Sequence, residues 1–180
     1  MSMTVIETPR LRLVSASEAQ IAALLFNHQL RIDSLPVSIP AEWADLWVDH
    51  PGALEYTLRG LQADPTLQTL GWWSYLFIDH DLTLVGMGGF RGHPDEAGMV
   101  ELGYAIAAPY RSQGLATEAA RAMTEFALRS PDVRRVQAHT LAVDNASNRL
   151  LKTIGFSYNG TLNDPDDGEV WQWVLDKPTP

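Results

Sequence analysis

Apolar and polar positions follow two rhythms along this chain, and each change of rhythm marks an element. Leu11 and Leu13 alternate with Arg10 and Arg12, which predicts a strand over residues 10–14. A helix containing Ile21, Leu24 and Leu25 follows, with Ser15 or Ser17 as its N-cap. Residues 27–70 hold no regular period. Asp33, Pro36, Pro40, Pro51 and Pro65 punctuate them, and helical patches stand out only at 41–48 and 53–62. After Gly71 strands return: 72–78 and 84–90 read as a hairpin turned at Asp79-His80-Asp81, and 99–107 as a third strand.

Residues 115–128 carry the clearest helical spacing, through Leu115, Ala119, Ala122, Met123, Phe126 and Ala127, and Pro131 ends it. A strand over 133–142 precedes a short helix at 147–154, stopped by Gly155 as a left-handed cap. Strands at 156–158 and 170–175 finish the order. The last alternates around Trp171 and Trp173 and, if exposed, offers pairing to a second subunit, hence a homodimer. Residues 177–180 read as a frayed tail. The order βαα-βββ-α-β-α-ββ predicts an α+β (mixed α/β) fold, with residues 1–180 as a single domain.

Composition narrows the function. With 46% hydrophobic residues the chain can build a core, and the absence of cysteine removes disulfides, thiolate zinc sites and a cysteine nucleophile. His28, His50, His80, His93 and His139 show no ligand spacing, so no metal is expected. A net charge of -9 argues against nucleic acid and suits a cationic partner such as an amine. With neither a signal segment nor an apolar run of about 18 residues, a cytoplasmic protein without a membrane partner is expected.

One loop carries candidate chemistry. Arg111-Ser112-Gln113-Gly114-Leu115-Ala116-Thr117-Glu118 joins a strand to the long helix. A helix start offers unpaired N–H groups and partial positive charge, a natural seat for a pyrophosphate. Gly114 and Ala116 leave room for phosphate oxygens, and Arg111 adds a cationic fork. Neither GxxxxGK[ST] nor GxGxxG is present. Taken alone, the short pattern R-x-x-G-x-A reads better as a plain turn before a packed helix.

Its neighbours add a resemblance. Glu101-Leu102-Gly103-Tyr104-Ala105-Ile106 followed by Pro109 to Ala119 resembles motif A of the GNAT superfamily of acyl-CoA N-acyltransferases. Thr8-Pro9-Arg10-Leu11-Arg12-Leu13 and Val85-Gly86-Met87-Gly88-Gly89-Phe90 resemble strands of its ribosomal-protein N-terminal acetyltransferase branch. Asp144 to Leu151 with Gly155-Phe156 resembles motif B. The departures are a linker one residue shorter between Pro109 and Arg111, and Ala116 in place of a second loop glycine.

The resemblance implies a GNAT fold: a strongly bent mixed sheet of about seven strands, flanked by helices, with a splayed central pair that holds acetyl-CoA. It assigns the pantetheine arm to backbone groups of Ala105, Ile106 and Ala107. The pyrophosphate falls to Arg111, Ser112, Gln113, Gly114, Leu115, Ala116 and Thr117. Ser147 matches the serine set beside the CoA sulfur as proton donor, although a serine there also suits a helix N-cap. Asn145 is assigned to pantetheine or to fixing the loop, and Glu101 to general base, often through water, against the plainer reading of an exposed strand carboxylate. Tyr104 reads as core. Residues 27–70 become a helical wall of the acceptor site, with Trp43 and Trp47 either facing an amine or packing together.

A lysine amine, with a pKa of about 10.4, needs more help with deprotonation than an α-amine at about 7.7–8.0. The activity implied is direct acetyl transfer from acetyl-CoA to a primary amine, either a protein N-terminal α-amine or a small molecule. A non-catalytic acyl-CoA-binding regulatory module is the alternative.

Overall fold

Local signals explain where most elements begin. The computed structural model describes residues 3–48 and 50–178. β1 (Val5–Glu7) pairs with β2 (Leu11–Ser15), and α1 (Glu18–Leu25) starts at Ser17, which forms a reciprocal capping box with Gln20. Ser15 belongs instead to β2, where its buried hydroxyl donates to Gln68 O at 2.8 Å.

The irregular segment holds more than its two predicted helical patches. β3 (Arg31–Ile32) and β4 (Leu35–Pro36) form a small hairpin around Asp33 and Ser34, at φ 50° and 68°. Positive φ at both central residues is what a tight primed turn requires. The first helical patch is a 3₁₀ helix, Ala41–Trp47, and the second is α2 (Ala53–Ala63), followed by the short α3 (Thr66–Thr69).

Then come β5 (Ser74–Asp79), β6 (Leu84–Phe90), β7 (Met99–Ile106), α4 (Leu115–Arg129) and β8 (Arg135–Leu141). The chain ends with α5 (Ala146–Thr153), β9 (Ser157–Asp164) and β10 (Gly168–Asp176). The main sheet has eight strands rather than about seven, in the order β1-β2-β5-β6-β7-β8-β10-β9. β1 and most of β9 escaped the sequence reading because both are short on buried side chains, so hydrophobic alternation cannot mark them.

One feature of the sheet positions the site. β7 and β8 are the only neighbouring pair in that order to run parallel, and only Met99–Glu101 lies in register with Arg135–Gln137. Past that point β7 stays with β6 as far as Ile106, while β8 stays with β10 as far as Leu141. The two strands therefore part toward their C-terminal ends, and α4 crosses between them. It buries Met123 together with Ala119, Ala120 and Ala127, small side chains that let it sit close to the sheet. Each larger apolar side chain buried in this core, such as Met123 or Phe77, contributes about 1.5–3 kcal/mol.

Two expectations fail at the C-terminus. The Trp171–Trp173 strand is not exposed: β10 lies between β8 and β9, Trp173 is buried, and its indole donates to Thr140 Oγ1 at 2.9 Å. The edge strand on this side of the sheet is β9. Lys177 is not frayed either, because its backbone N–H reaches Arg134 O and its ammonium reaches Ser130 O, each at 2.8 Å. Thr179 and Pro180 lie outside the described residues. Among those described, no helix is long and apolar enough to cross a membrane.

Candidate active site

The parting of β7 and β8 opens a cavity of about 540 Å³. Tyr104, Ala105 and Ile106 form its β7 wall, and Arg111, Ser112 and Gly114 to Thr117 its floor. Ala146, Ser147, Arg149, Leu150 and Thr153 of α5 face them. Most of the predicted cofactor residues thus meet in one place. Gln113, Ala107 and Asn145 do not line it. Gln113 turns its side chain to Pro109 O, Ala107 spends its N–H on Val85 O and its carbonyl on Tyr110 N, and Asn145 caps α5.

At the start of α4, the N–H groups of Gly114, Leu115, Ala116 and Thr117 find no partner among the described residues. Four open donors and the positive end of a helix dipole face the cavity floor, which is the chemistry a pyrophosphate needs. The chain reaches this geometry through two left-handed residues, Ser112 at φ 59° and Gly114 at φ 78°. Arg111 lays its Nε on Ile106 O at 2.9 Å, leaving its outer N–H groups available to an anion.

Ser147 is the second residue of α5. The cap is Asn145, whose side chain accepts from Asn148 N at 3.0 Å, so the N-cap reading of Ser147 does not hold. Behind it, Asn148 is buried. It accepts from Thr140 Oγ1 and donates to Val143 O at 2.7 Å, tying α5 to β8 and its following loop. Tyr104 stands opposite Ser147. Burial drives its phenol up to about 12, while the Ser147 hydroxyl acts in the lowering direction. The two hydroxyls stop short of good hydrogen-bond geometry, and Tyr104 Oη is left buried without a partner.

A second cavity, of about 390 Å³, lies on the other side of Tyr104 and Ala105, which line both. Trp47, His50 and Tyr56 from the irregular segment form one wall, with Trp73, Arg91 and the flat strip of Gly88, Gly89 and Gly103 completing it. Trp43 instead packs edge-on against Trp47 at 5.8 Å and is buried.

Glu101 borders this second cavity through Arg91 and is not a free strand carboxylate. Arg91 Nε lies 3.0 Å and His139 Nδ1 3.3 Å from its Oε1, and Gln137 Nε2 donates to Oε2 at 3.1 Å. Gln137 is held in turn by Gln172, and Gln172 by Asn159. A carboxylate has about four acceptor sites, so room remains for a water or an N–H. Arg91, Gln137, His139 and Asn148 were not legible as site residues. Gln137 and His139 do alternate on one face of β8, but only the β7–β8 register brings that face to Glu101. Among the described residues, no group of three or more His, Asp or Glu could hold a metal ion.

Known proteins share this fold. The chain is 30% identical over 158 residues to YjdG of Bacillus subtilis (strain 168), called an uncharacterized N-acetyltransferase, covering 87% of this chain and 92% of that one. Among solved structures, RimL, a ribosomal L7/L12 alpha-N-protein acetyltransferase in complex with coenzyme A, superposes with TM-score 0.71 at 20% identity over 96% of this chain and 98% of its own. An acetyltransferase from Salmonella typhimurium that modifies the N-terminal serine of ribosomal protein L7/L12 gives TM-score 0.69 at 21% identity, over 96% and 99%. Residues 10–157 match the acetyltransferase (GNAT) domain family, and with the parted strands and the open α4 start they place this chain in it: the protein is a GNAT-family N-acetyltransferase.

Proposed function

We propose that this protein transfers the acetyl group of acetyl-CoA directly to a primary amine, with residues 1–180 acting as one catalytic unit. The observation that carries the proposal is the open N-terminus of α4 in the gap between β7 and β8, on the same cavity that Ser147 lines. Acetyl-CoA supplies the acetyl group as a thioester. Gly114 to Thr117 hold its pyrophosphate, and the β7 edge at Ala105 and Ile106 guides the pantetheine arm.

The protein residues then divide the proton work. Glu101, held by the Gln137 amide and by Arg91 and His139 beside it, takes up the proton of the incoming ammonium through a water. Ser147 donates a hydrogen bond to the departing thiolate. Tyr104 and Ala105 form the partition through which the amine meets the thioester. The solved structures named for action on a ribosomal-protein N-terminus support a peptide α-amine, and a small-molecule amine is the second acceptor class.

The test is release of CoA thiol from acetyl-CoA over a panel of short peptides with varied N-terminal residues and of simple amines. Acceleration by at least one of them is expected. Tight CoA binding with no acceleration anywhere would remove the catalytic reading. Ser147→Ala and Glu101→Gln are each expected to lower kcat with little change in CoA affinity.

A further inference from the structure

An acidic residue in the first turn of α4 is at first sight misplaced. Glu118 lies one turn beyond Gly114 in the helix whose start is proposed to hold a pyrophosphate, so its charge would repel that ligand. Its side chain is turned away and spent. Its Oε1 accepts from Thr8 Oγ1 at 2.7 Å and from the Arg10 backbone N–H at 2.8 Å, and its Oε2 accepts from Arg10 Nε at 2.7 Å. The same guanidinium extends Nη1 to Gln113 O at 2.8 Å. The β1–β2 turn thus grips the loop on both sides of Gly114, across more than a hundred residues of chain.

We propose that Thr8, Arg10 and Glu118 form a clamp that holds the Ser112–Thr117 loop in its anion-binding conformation, making Arg10 and Glu118 positioning residues for the CoA pyrophosphate. This rests on the reading of that loop as the pyrophosphate seat. Ser112 and Gly114 occupy left-handed conformations, which cost of order 1–3 kcal/mol for a non-glycine residue and persist only where the surroundings over-determine them. The clamp supplies that determination. Arg10 fixes the carbonyl of Gln113, between the two, and Glu118 fixes the helix end they lead into. Because Arg10 and Glu118 neutralise each other, the contribution is one of geometry: the four open N–H groups stay convergent without a net charge being added. The planar fork of Arg10 serves two acceptors in two directions, which a lysine ammonium on a flexible stem does not reproduce.

The experiment compares two acetyl donors in the full-length protein. Acetyl-CoA uses the loop, whereas acetylpantetheine carries the same thioester and arm without the pyrophosphate. Arg10→Ala and Glu118→Gln are expected to raise KM for acetyl-CoA and Kd for CoA by roughly tenfold, with kcat little changed. Turnover of acetylpantetheine should stay within about twofold of wild type. Arg10→Lys should leave the acetyl-CoA KM raised, and the double variant Arg10→Ala/Glu118→Gln should be no worse than the weaker single, since each breaks the same device.

Equal losses on both donors would assign the residues to general stability and overturn the clamp. Full recovery in Arg10→Lys would reduce Arg10 to a local charge and overturn it as well, as would additive losses or an unchanged KM. Thr8→Val removes the hydroxyl that reaches Glu118, together with its local contacts to Leu11, while leaving the ion pair, and a smaller rise in KM is expected from it even if the stronger variants fold poorly. If the wild-type protein itself binds no CoA by calorimetry, the pyrophosphate reading fails, an outcome distinct from wild-type binding that the variants preserve.

Discussion

Replacing Asn148 with alanine tests how α5 is held in place to present Ser147. The Asn148 side chain makes two hydrogen bonds, accepting from Thr140 Oγ1 and donating to Val143 O, while its backbone N–H donates to the cap Asn145. The cap survives the substitution. Val143 is exposed, so water can replace the bond to its carbonyl at almost no cost. Thr140 is buried and still accepts from the Trp173 indole, but its own hydroxyl proton loses its acceptor. One orphaned buried donor costs about 1–3 kcal/mol, so a loss of about 2 kcal/mol is expected. For a chain of this length that corresponds to a fall in Tm of roughly 4–8 °C. Chemical and thermal unfolding of Asn148→Ala, Thr140→Val and the double variant would measure it, with the double loss smaller than the sum because both residues serve one network. A loss below about 0.5 kcal/mol, or strict additivity, would refute this account of how α5 is anchored.

Tyr104→Phe removes a buried hydroxyl that has no partner, so Tm is expected to hold or rise while turnover falls; a lower Tm with unchanged turnover would make Tyr104 a purely structural residue. Gly60→Ala should destabilise α2 even though helix propensity alone favours alanine by about 1 kcal/mol. A Cβ at Gly60 would lie 2.3 Å from Cζ2 of Trp73, a buried ring held by its indole bond to Thr57 O, so overpacking of about 1–3 kcal/mol should dominate in unfolding titrations. Desolvation pushes the Glu118 carboxyl upward, yet the bonds from Thr8 and Arg10 outweigh it and hold it below its ordinary range. A lowered folded-state value means stability that is present above the unfolded pKa and is lost as pH falls through the folded one. The stability difference between wild type and Glu118→Gln should therefore shrink toward zero on acidification, and a difference that grew would contradict that sign.

The order and type of the long elements, and the anion-binding loop, could be read from the chain because both are local properties. Helix α4 advertises itself by side chains three and four apart, and the Gly114 turn by residue types that sit next to one another. Thr8-Pro9-Arg10 and the RSQGLATE segment were equally visible as motifs, yet nothing in either says that Glu118 closes on Thr8 and Arg10. Ser147 was found, while the cap fell to Asn145 rather than to Ser147 and the buried support of Asn148 was not visible, because its partner Thr140 lies on β8. Glu101 was likewise visible as a carboxylate on a strand. That it is gripped by Arg91, Gln137 and His139 follows from which strands are neighbours and in what register, a decision made by pairing across the whole sheet. Local chemistry is written residue by residue along the chain; which residues share a site is decided only when distant strands close the sheet around it.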